Sequence, residues 1–320
     1  MSLGAFAGFA LVFVVTTWTL SALGAIALGQ ARSRLQRIGP MAERRAAEAV
    51  AIVPVVVGVL AVATLVLQSA IGVDHCEAHG HHAHLCITHG AHWIERAWVV
   101  VSLAIAGAKM LGRAVLMVAS FVRGSRSIRE LHQLSRDAGE VRLVESDRAF
   151  CFVADRERPA IYVSSRVWSA LSASERAALV AHEAAHVRQG DLRKRALIEA
   201  FLAFAAPLVG DRTRAVWLQA SERLCDAHAA AATGEPEAVA SAMVSMCRLH
   251  TMRPTVPSFG FTPTVDELEG RVHAVLAGGP LGERAALVFG RVTLASCIAI
   301  AVLCVIAAEP IHHAFETLLG

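Results

Sequence analysis

The chain has 320 residues, of which 55% are hydrophobic, and its mean hydropathy is +0.51. This composition is too apolar for an ordinary soluble protein and predicts several membrane spans together with one domain outside the membrane. The net charge of +3 gives no basis for charge-driven nucleic-acid binding, so no direct nucleic-acid partner is expected.

Four apolar runs are long enough to cross a lipid bilayer, which takes about 20 residues of helix. They cover residues 2–31, residues 49–73, a run that starts between Trp93 and Trp98, and residues 287–308. Arginines follow the first and third runs, so the positive-inside rule places a basic loop, residues 32–48, in the cytoplasm. Both termini and the segment 74–93 are then expected outside the cytoplasm. Lys109 and Arg113, within the third run, either snorkel or form a functional charge pair.

Three domains follow from this layout: residues 1–123 with three spans, a cytoplasmic domain at 124–285, and residues 286–320 with the fourth span and a short tail. Within the cytoplasmic domain, three segments have strand composition: Val141–Glu145, Phe150–Ala154 and Ile161–Ser164. The apolar segment Ala196–Gly210 is too short to span, and we expect a hairpin that dips into the membrane or packs on the spans.

An H-E-x-x-H motif, His182 to His186, lies in an apolar-periodic run, and Ser172 with Glu175 forms a capping box ahead of it. Residues four apart share one helix face, so His182 and His186 can bind one metal ion. Glu183 is badly placed as a ligand beside them but well placed to take a proton from a metal-bound water.

A second helical run offers the third ligand. Glu222 would complete a His-His-Glu site, and Asp226, on the same face, would accept a hydrogen bond from a ligand histidine. The competing interpretation is an ordinary charged helix face. We interpret Cys225 and His228 as packing residues.

The segments 182–191 and 222–226 together resemble the BlaR/MecR-type integral-membrane zinc metallopeptidases, the β-lactam-sensor (antirepressor) family of the bacterial cell membrane. The segments 159–164 and 263–272 fit the same family. A related group, the prenyl-protein and heat-shock membrane proteases, shares the H-E-x-x-H motif and the later glutamate, but the cysteine before Asp226 and the membrane layout favour the sensor family. The resemblance implies a Zn²⁺ cofactor and a protein substrate, which could be a cytoplasmic transcriptional repressor. It also gives Ile161–Ser164 the role of a substrate-binding sheet edge, although a strand inside the sheet is an equal alternative. Tyr162 could stabilise an oxyanion, but a core position is favoured.

The expected fold is an α-helical membrane protein with an α+β zincin-like (HExxH...E) metalloprotease domain. About a dozen residues follow the fourth run, so the penicillin-binding sensor domain of the family is not expected, and neither is its β-lactam ligand. A quality-control protease for membrane proteins is the alternative enzyme. A metal receptor or transporter without protease activity is the alternative from another class.

Residues 74–93 hold seven of the fifteen histidines. This composition predicts a second, extracytoplasmic metal site, with a disulfide, a pH-responsive loop or a merely polar loop as alternatives. Its candidate ligands are His75, Cys76, His79, His81, His82, His84, Cys86, His89 and His92.

Overall fold

The computed structural model describes residues 3–71, 97–155, 157–251 and 265–306. Four helices in these ranges are long: α1 Leu3–Ile38, α2 Pro40–Ile71, α3 Ala97–Leu134 and α10 Glu283–Ile306. The remaining helices are α4 Ser165–Ala170, α5 Ala173–Gln189, α6 Asp191–Leu202, α7 Val209–Thr233, α8 Pro236–Thr251 and α9 Val265–Ala277. The strands are β1 Ser135–Asp137, β2 Arg142–Val144, β3 Cys151–Ala154 and β4 Ala160–Ser164. The histidine-rich loop and the C-terminal tail lie outside the described residues.

The four long helices carry segments that are apolar enough to cross a membrane. These segments are Phe6–Ile38, Pro40–Leu67, Ala97–Leu134 and Glu283–Leu303. Large apolar side chains on them face outward; Leu111 is 67% exposed and Leu303 is 60% exposed. Exposure of such apolar surfaces to water is unfavourable, whereas their contact with lipid is favourable. The four helices are therefore compatible with an integral membrane protein.

Residues 32–48, which we expected to form a loop, are helical except for one break. α1 continues to Ile38 and α2 begins at Pro40. Gly39, between them, has a φ of +137°, and a Cβ atom there would collide with the Pro280 carbonyl, so the break requires glycine. Arg, Ala and Glu make up ten of the seventeen residues of this segment and are strong helix formers, which is why the helices continue beyond the apolar runs. α3 likewise continues past residue 123, so the expected domain boundary falls inside a helix.

The small sheet has the order β1-β2-β4-β3. β2 pairs with β4 in parallel, and β3 pairs with β4 antiparallel. The three expected strands are present, while the short β1 was not anticipated. The edge role expected for Ile161–Ser164 is wrong, because β4 is flanked on both sides and β3 forms the edge. The reason is burial: four of the five residues of β4 are buried, whereas β3 is only partly buried.

Successive side chains of β4 point to opposite faces of the sheet, and each face packs against a different helix. Ile161 and Val163 lie in one apolar cluster with Leu179 of α5. Tyr162, between them, points to the opposite face and packs near Ile128 of α3. The sheet therefore lies between the helix with the H-E-x-x-H motif and the end of the third apolar helix.

The hairpin between α6 and α7 packs on the long helices. The Phe204 ring contacts the Phe13 ring of α1 at a centroid distance of 5.8 Å, and the Ala206 N–H donates to Ser21 Oγ at 3.1 Å. Lys109 donates to the Ala205 carbonyl, and Arg113 pairs with Asp211 at 3.2 Å. Lys109 therefore contacts this hairpin, and Arg113 contacts the first turn of α7.

Candidate metal centre

The helix α5 carries the H-E-x-x-H motif, and both of its ends are well defined. Ser172 caps its first turn in a reciprocal capping box with Glu175, as predicted, and Gly190 ends it in the left-handed conformation with a φ of 66°. The helix therefore runs through the whole motif, and His182 and His186 lie on one face with ring centroids 4.9 Å apart.

Donor atoms of three residues on α5 and α7 lie close together. The Nε2 atoms of His182 and His186 are 3.2 Å apart, and each lies 3.6 Å from a different oxygen of Glu222. Donors of a tetrahedral zinc site, each about 2.0–2.1 Å from the ion, stand about 3.3–3.4 Å apart. The predicted His-His-Glu set therefore has the spacing that a zinc ion needs.

The other ring nitrogen of each histidine contacts a buried carboxylate. His182 Nδ1 lies 2.9 Å from Asp226 Oδ1, the contact that the sequence spacing predicts. His186 Nδ1 lies 2.7 Å from Asp191 Oδ2, a contact that we did not anticipate. Such contacts fix the tautomer and turn Nε2 toward a metal ion.

Arg271 of α9 joins the two carboxylates of α7. It donates to both oxygens of Asp226, at 2.7 and 2.8 Å, and its Nη1 lies 3.1 Å from Glu222 Oε2. Burial raises the pKa of Glu222, but the charge of Arg271 and the hydrogen bond from His182 outweigh burial and lower it. Glu222 is thus ionised, as a metal ligand must be.

The electrostatics of the histidines follow from the same carboxylates. Burial would lower the pKa of His182, but hydrogen bonds with Asp226 and Glu222 raise it to about 10. The pKa of Asp191 is lowered against its burial by the hydrogen bond with His186 and by the charge of Arg44. The site therefore concentrates negative charge around two imidazoles, which favours a cation.

Glu183 is 8% exposed and lies beside Cys151 of β3. Burial and the nearby Glu183 carboxylate raise the pKa of the Cys151 thiol. An open cleft of about 210 Å³ lies beside the ligands, at the end of β3 and α5. Its lining comprises Val153, Pro159, His186, Val187, Gly190, Asp191, Leu192 and Arg193.

Cys225 is fully buried, as expected of a packing residue, and it also lies beside His186. Its Sγ lies 3.3 Å from His186 Nδ1, and with Asp191 it forms a second group of potential metal ligands. Burial and three nearby carboxylates raise the pKa of this thiol, so the thiolate that a metal would need is disfavoured. His228 contacts Gln189 at 3.0 Å and takes no part in the His-His-Glu set.

Tyr162 does not reach the metal ligands. Its hydroxyl lies 3.1 Å from His132 Nδ1, on the face of the sheet away from α5. The favoured interpretation of Tyr162 as a core residue agrees with this position.

The part of the chain that contains the sheet and the candidate metal ligands is similar to a known protein family. Residues 123–259 match the model of peptidase family M48. The match contains the sheet, the motif helix, Glu222 and Asp226, and it supports the M48 metallopeptidase family, without confirming the BlaR/MecR type. Neither the curated proteins nor the solved structures give a match. With the four apolar helices, the M48 match supports a membrane-associated metallopeptidase.

Two functional residues were missed although they lie in motif segments. Asp191 ends the segment 182–191, and Arg271 lies in the segment 263–272. A histidine ligand needs a partner for its second nitrogen, so each ligand histidine should have prompted a search for a carboxylate. Arg271 had no comparable signal, since its partners lie 45 residues or more away.

Proposed function

We propose that this protein is an integral-membrane zinc metalloendopeptidase with a zincin-like site on the cytoplasmic side. His182, His186 and Glu222 hold the zinc ion, Asp226 and Asp191 orient the two histidines, and Glu183 is the general base. The observation that carries the proposal is the convergence of three side chains, whose donor atoms lie 3.2–3.6 Å apart, with each histidine supported by a carboxylate.

The chemistry follows from these positions. A bound zinc ion supplies Lewis acidity and lowers the pKa of water to about 7. Glu183 accepts the proton of the attacking water and then donates it to the nitrogen of the leaving peptide. Because Glu183 lies one residue after a ligand, it is close to the reacting atoms without occupying a ligand position.

The site also offers a way to hold an extended peptide. β3 is at the edge of the sheet among the described strands, and it lies against α5. Its outer backbone groups can pair with a substrate strand, which is a common mode of peptide binding. The role that the sequence resemblance gave to β4 is therefore assigned to β3 in this proposal.

The substrate we propose is a protein, with a cytoplasmic transcriptional repressor as the candidate that the sequence resemblance supports. Membrane-protein quality control is the second candidate. One observation favours it: Arg44, in the first turns of an apolar helix, contacts Asp191 beside the metal ligands at 2.5 Å. The reacting bond would then lie close to the bilayer surface.

A cleavage assay tests the proposal. The full-length protein in detergent should cleave a casein-type substrate, lose this activity with a zinc chelator and recover it with zinc. Glu183→Gln should bind zinc but not cleave, because an amide can hydrogen-bond water but cannot accept its proton. Glu269→Gln, which removes an exposed carboxylate of α9, is the matched control and should keep activity. Wild-type turnover by Glu183→Gln would exclude Glu183 as the base, and no turnover by any form would favour the receptor or transporter.

A further inference from the structure

A buried polar cluster connects the start of α2 with the metal centre. Its central residue is Arg44, whose side chain is 3% exposed. Arg44 Nε donates to Glu48 Oε1 at 3.2 Å, and Nη2 contacts Asp191 Oδ1 at 2.5 Å. The guanidinium also lies over the Trp217 ring at 5.1 Å from its centroid, and Trp217 Nε1 donates to the same oxygen of Glu48 at 3.3 Å. These contacts give Arg44 one position.

The two oxygens of the Asp191 carboxylate have different partners. Oδ1 accepts from Arg44, whereas Oδ2 contacts His186 Nδ1 at 2.7 Å and accepts from Cys225 Sγ at 3.8 Å. Asp191 is 8% exposed, so water does not compete effectively for either oxygen. The orientation of the His186 ring, and with it the direction of Nε2, therefore depends on where Arg44 holds Asp191.

We propose that Arg44 is a positioning residue of the metal centre, which acts through Asp191 to aim His186 Nε2 at the metal ion. The inference rests on the metal site proposed above. It adds that an apolar helix outside the M48-matched segment takes part in building that site. Metal affinity is then sensitive to the position of α2 relative to the junction of α5 and α6.

The chemistry of arginine suits this role. Its planar fork can contact Glu48 and Asp191 at once and still lie flat on Trp217, whereas lysine offers a single point charge. Trp217 and Glu222 are both on α7. Arg44 thus touches the helix of the third ligand as well as the partner of the second ligand, and fixes the two relative to each other.

The competing explanation is a structural ion pair that stabilises the fold without any effect on the metal. The two explanations differ in one measurable respect. If Arg44 acts through Asp191, removing Asp191 first should abolish the effect of removing Arg44. If Arg44 only supports the fold, the two effects should add.

The experiment measures the zinc dissociation constant of the full-length protein by competition with a chelator. Zinc bound by a His182→Ala/His186→Ala protein is subtracted, so that other sites do not contribute. Asp191→Asn should weaken binding about 10–100-fold, as is typical for the partner of a metal-ligating histidine. Arg44→Gln should weaken zinc binding as well, by a smaller factor than Asp191→Asn does. In the Asp191→Asn background, Arg44→Gln should change affinity by less than about twofold.

Arg45→Gln is the matched control. Arg45 is the next residue of the same helix, and it contacts Glu48 at 2.8 Å but is 49% exposed. Its replacement removes the same charge and should leave zinc affinity unchanged. Equal zinc affinity in Arg44→Gln and wild type, or an equal loss in both backgrounds, would overturn the inference.

A second pair of variants controls for misfolding, because Arg44→Gln removes the buried partner of Glu48. Arg44→Gln/Glu48→Gln is compared with Glu48→Gln alone, which keeps the contact between Arg44 and Asp191. Only the double variant should lose zinc affinity; equal affinities would refute the role of Arg44. If the wild type itself binds no zinc at His182 and His186, the proposed function fails, and this result is distinct from failure of the Arg44 inference.

Discussion

Replacement of Asp226 tests how the metal centre is held together. Asp226 is 1% exposed, and both of its oxygens are used: Oδ1 contacts His182 and Arg271, and Oδ2 contacts Arg271. Asparagine has nearly the same shape but one acceptor oxygen. In Asp226→Asn, the NH₂ group faces a donor of Arg271 in either orientation, and in one orientation it also faces His182, so at least one of these contacts breaks.

The expected size of the effect has two parts. Removing the partner of a ligand histidine weakens metal affinity about 10–100-fold, which is about 1.4–2.7 kcal/mol. Breaking a buried ion pair costs about 3–5 kcal/mol of folding stability. Arg271 keeps Glu222 at 3.1 Å, so we expect the stability loss near the lower end of that range. Asp226→Ala should lose more zinc affinity than Asp226→Asn because it keeps no acceptor.

The two parts can be measured separately. Zinc affinity is obtained by chelator competition, and the stability of the metal-free protein by thermal unfolding. Asp226→Asn combined with Arg271→Gln should recover part of the stability, since no buried cation is left unpaired, but not the affinity. Asp211→Asn is the control on the same helix, because Asp211 pairs with Arg214 and is 54% exposed.

Two results would refute this reasoning in different ways. Unchanged zinc affinity in both Asp226 variants would mean that the contact with His182 does not orient the ligand. Complete loss of zinc, equal to the loss in His182→Ala, would mean that Asp226 is itself a ligand.

Three further predictions concern the fold and the layout. The backbone hydrogen bond from Ser172 lowers the pKa of Glu175 from 4.5 to about 2, so its contribution is present above pH 4.5 and lost as the pH falls toward 2. Thermal unfolding should show Glu175→Gln less stable than wild type by about 0.5–2 kcal/mol at pH 6, with the gap narrowing below pH 4.5 and closing only near pH 2, while Glu237→Gln shows no such trend. Cysteine labelling should find Pro40→Cys inside and Gly80→Cys and Phe315→Cys outside; the reverse pattern would invert the topology. Serine in place of the loop histidines at 74–93 should leave zinc at His182 and His186, abolish any response to external metal and change basal cleavage by no more than about 5–150-fold, the range of typical coupling energies. A normal response would exclude the loop as the sensor.

Much of the fold could be predicted because local signals determine it. The capping box of Ser172 and Glu175 lies at the observed start of α5, and the apolar runs correspond to the four long helices. The predicted strands lie within about one residue of β2, β3 and β4. Strand order was not predictable in the same way, because the choice between edge and centre depends on which strands meet in space. The resemblance placed β4 at the edge, with a position inside the sheet as the equal alternative, and the structure has the second.

The metal centre shows the same division between local and distant information. His182, Glu183 and His186 are close together in one helix, and Glu222 and Asp226 in another, so the H-E-x-x-H motif and helical spacing were enough to propose them. Arg271 reaches Asp226 across 45 residues and Arg44 reaches Asp191 across 147 residues. No periodicity links such pairs, and an arginine in a basic stretch at the end of an apolar run is ordinarily interpreted as a topology signal.

Arg44 illustrates why that ordinary interpretation was incomplete. Surface arginines that only set topology have no need of buried acidic partners, whereas Glu43 is fully buried and contacts Arg223, and Arg44 is buried between Glu48 and Asp191. Burying these charges is costly unless the partners hold one fixed geometry. The partners here sit on α6 and α7, beside the residues that would bind the metal. The start of α2 is therefore better understood as part of the framework of the metal centre than as a basic loop between two spans.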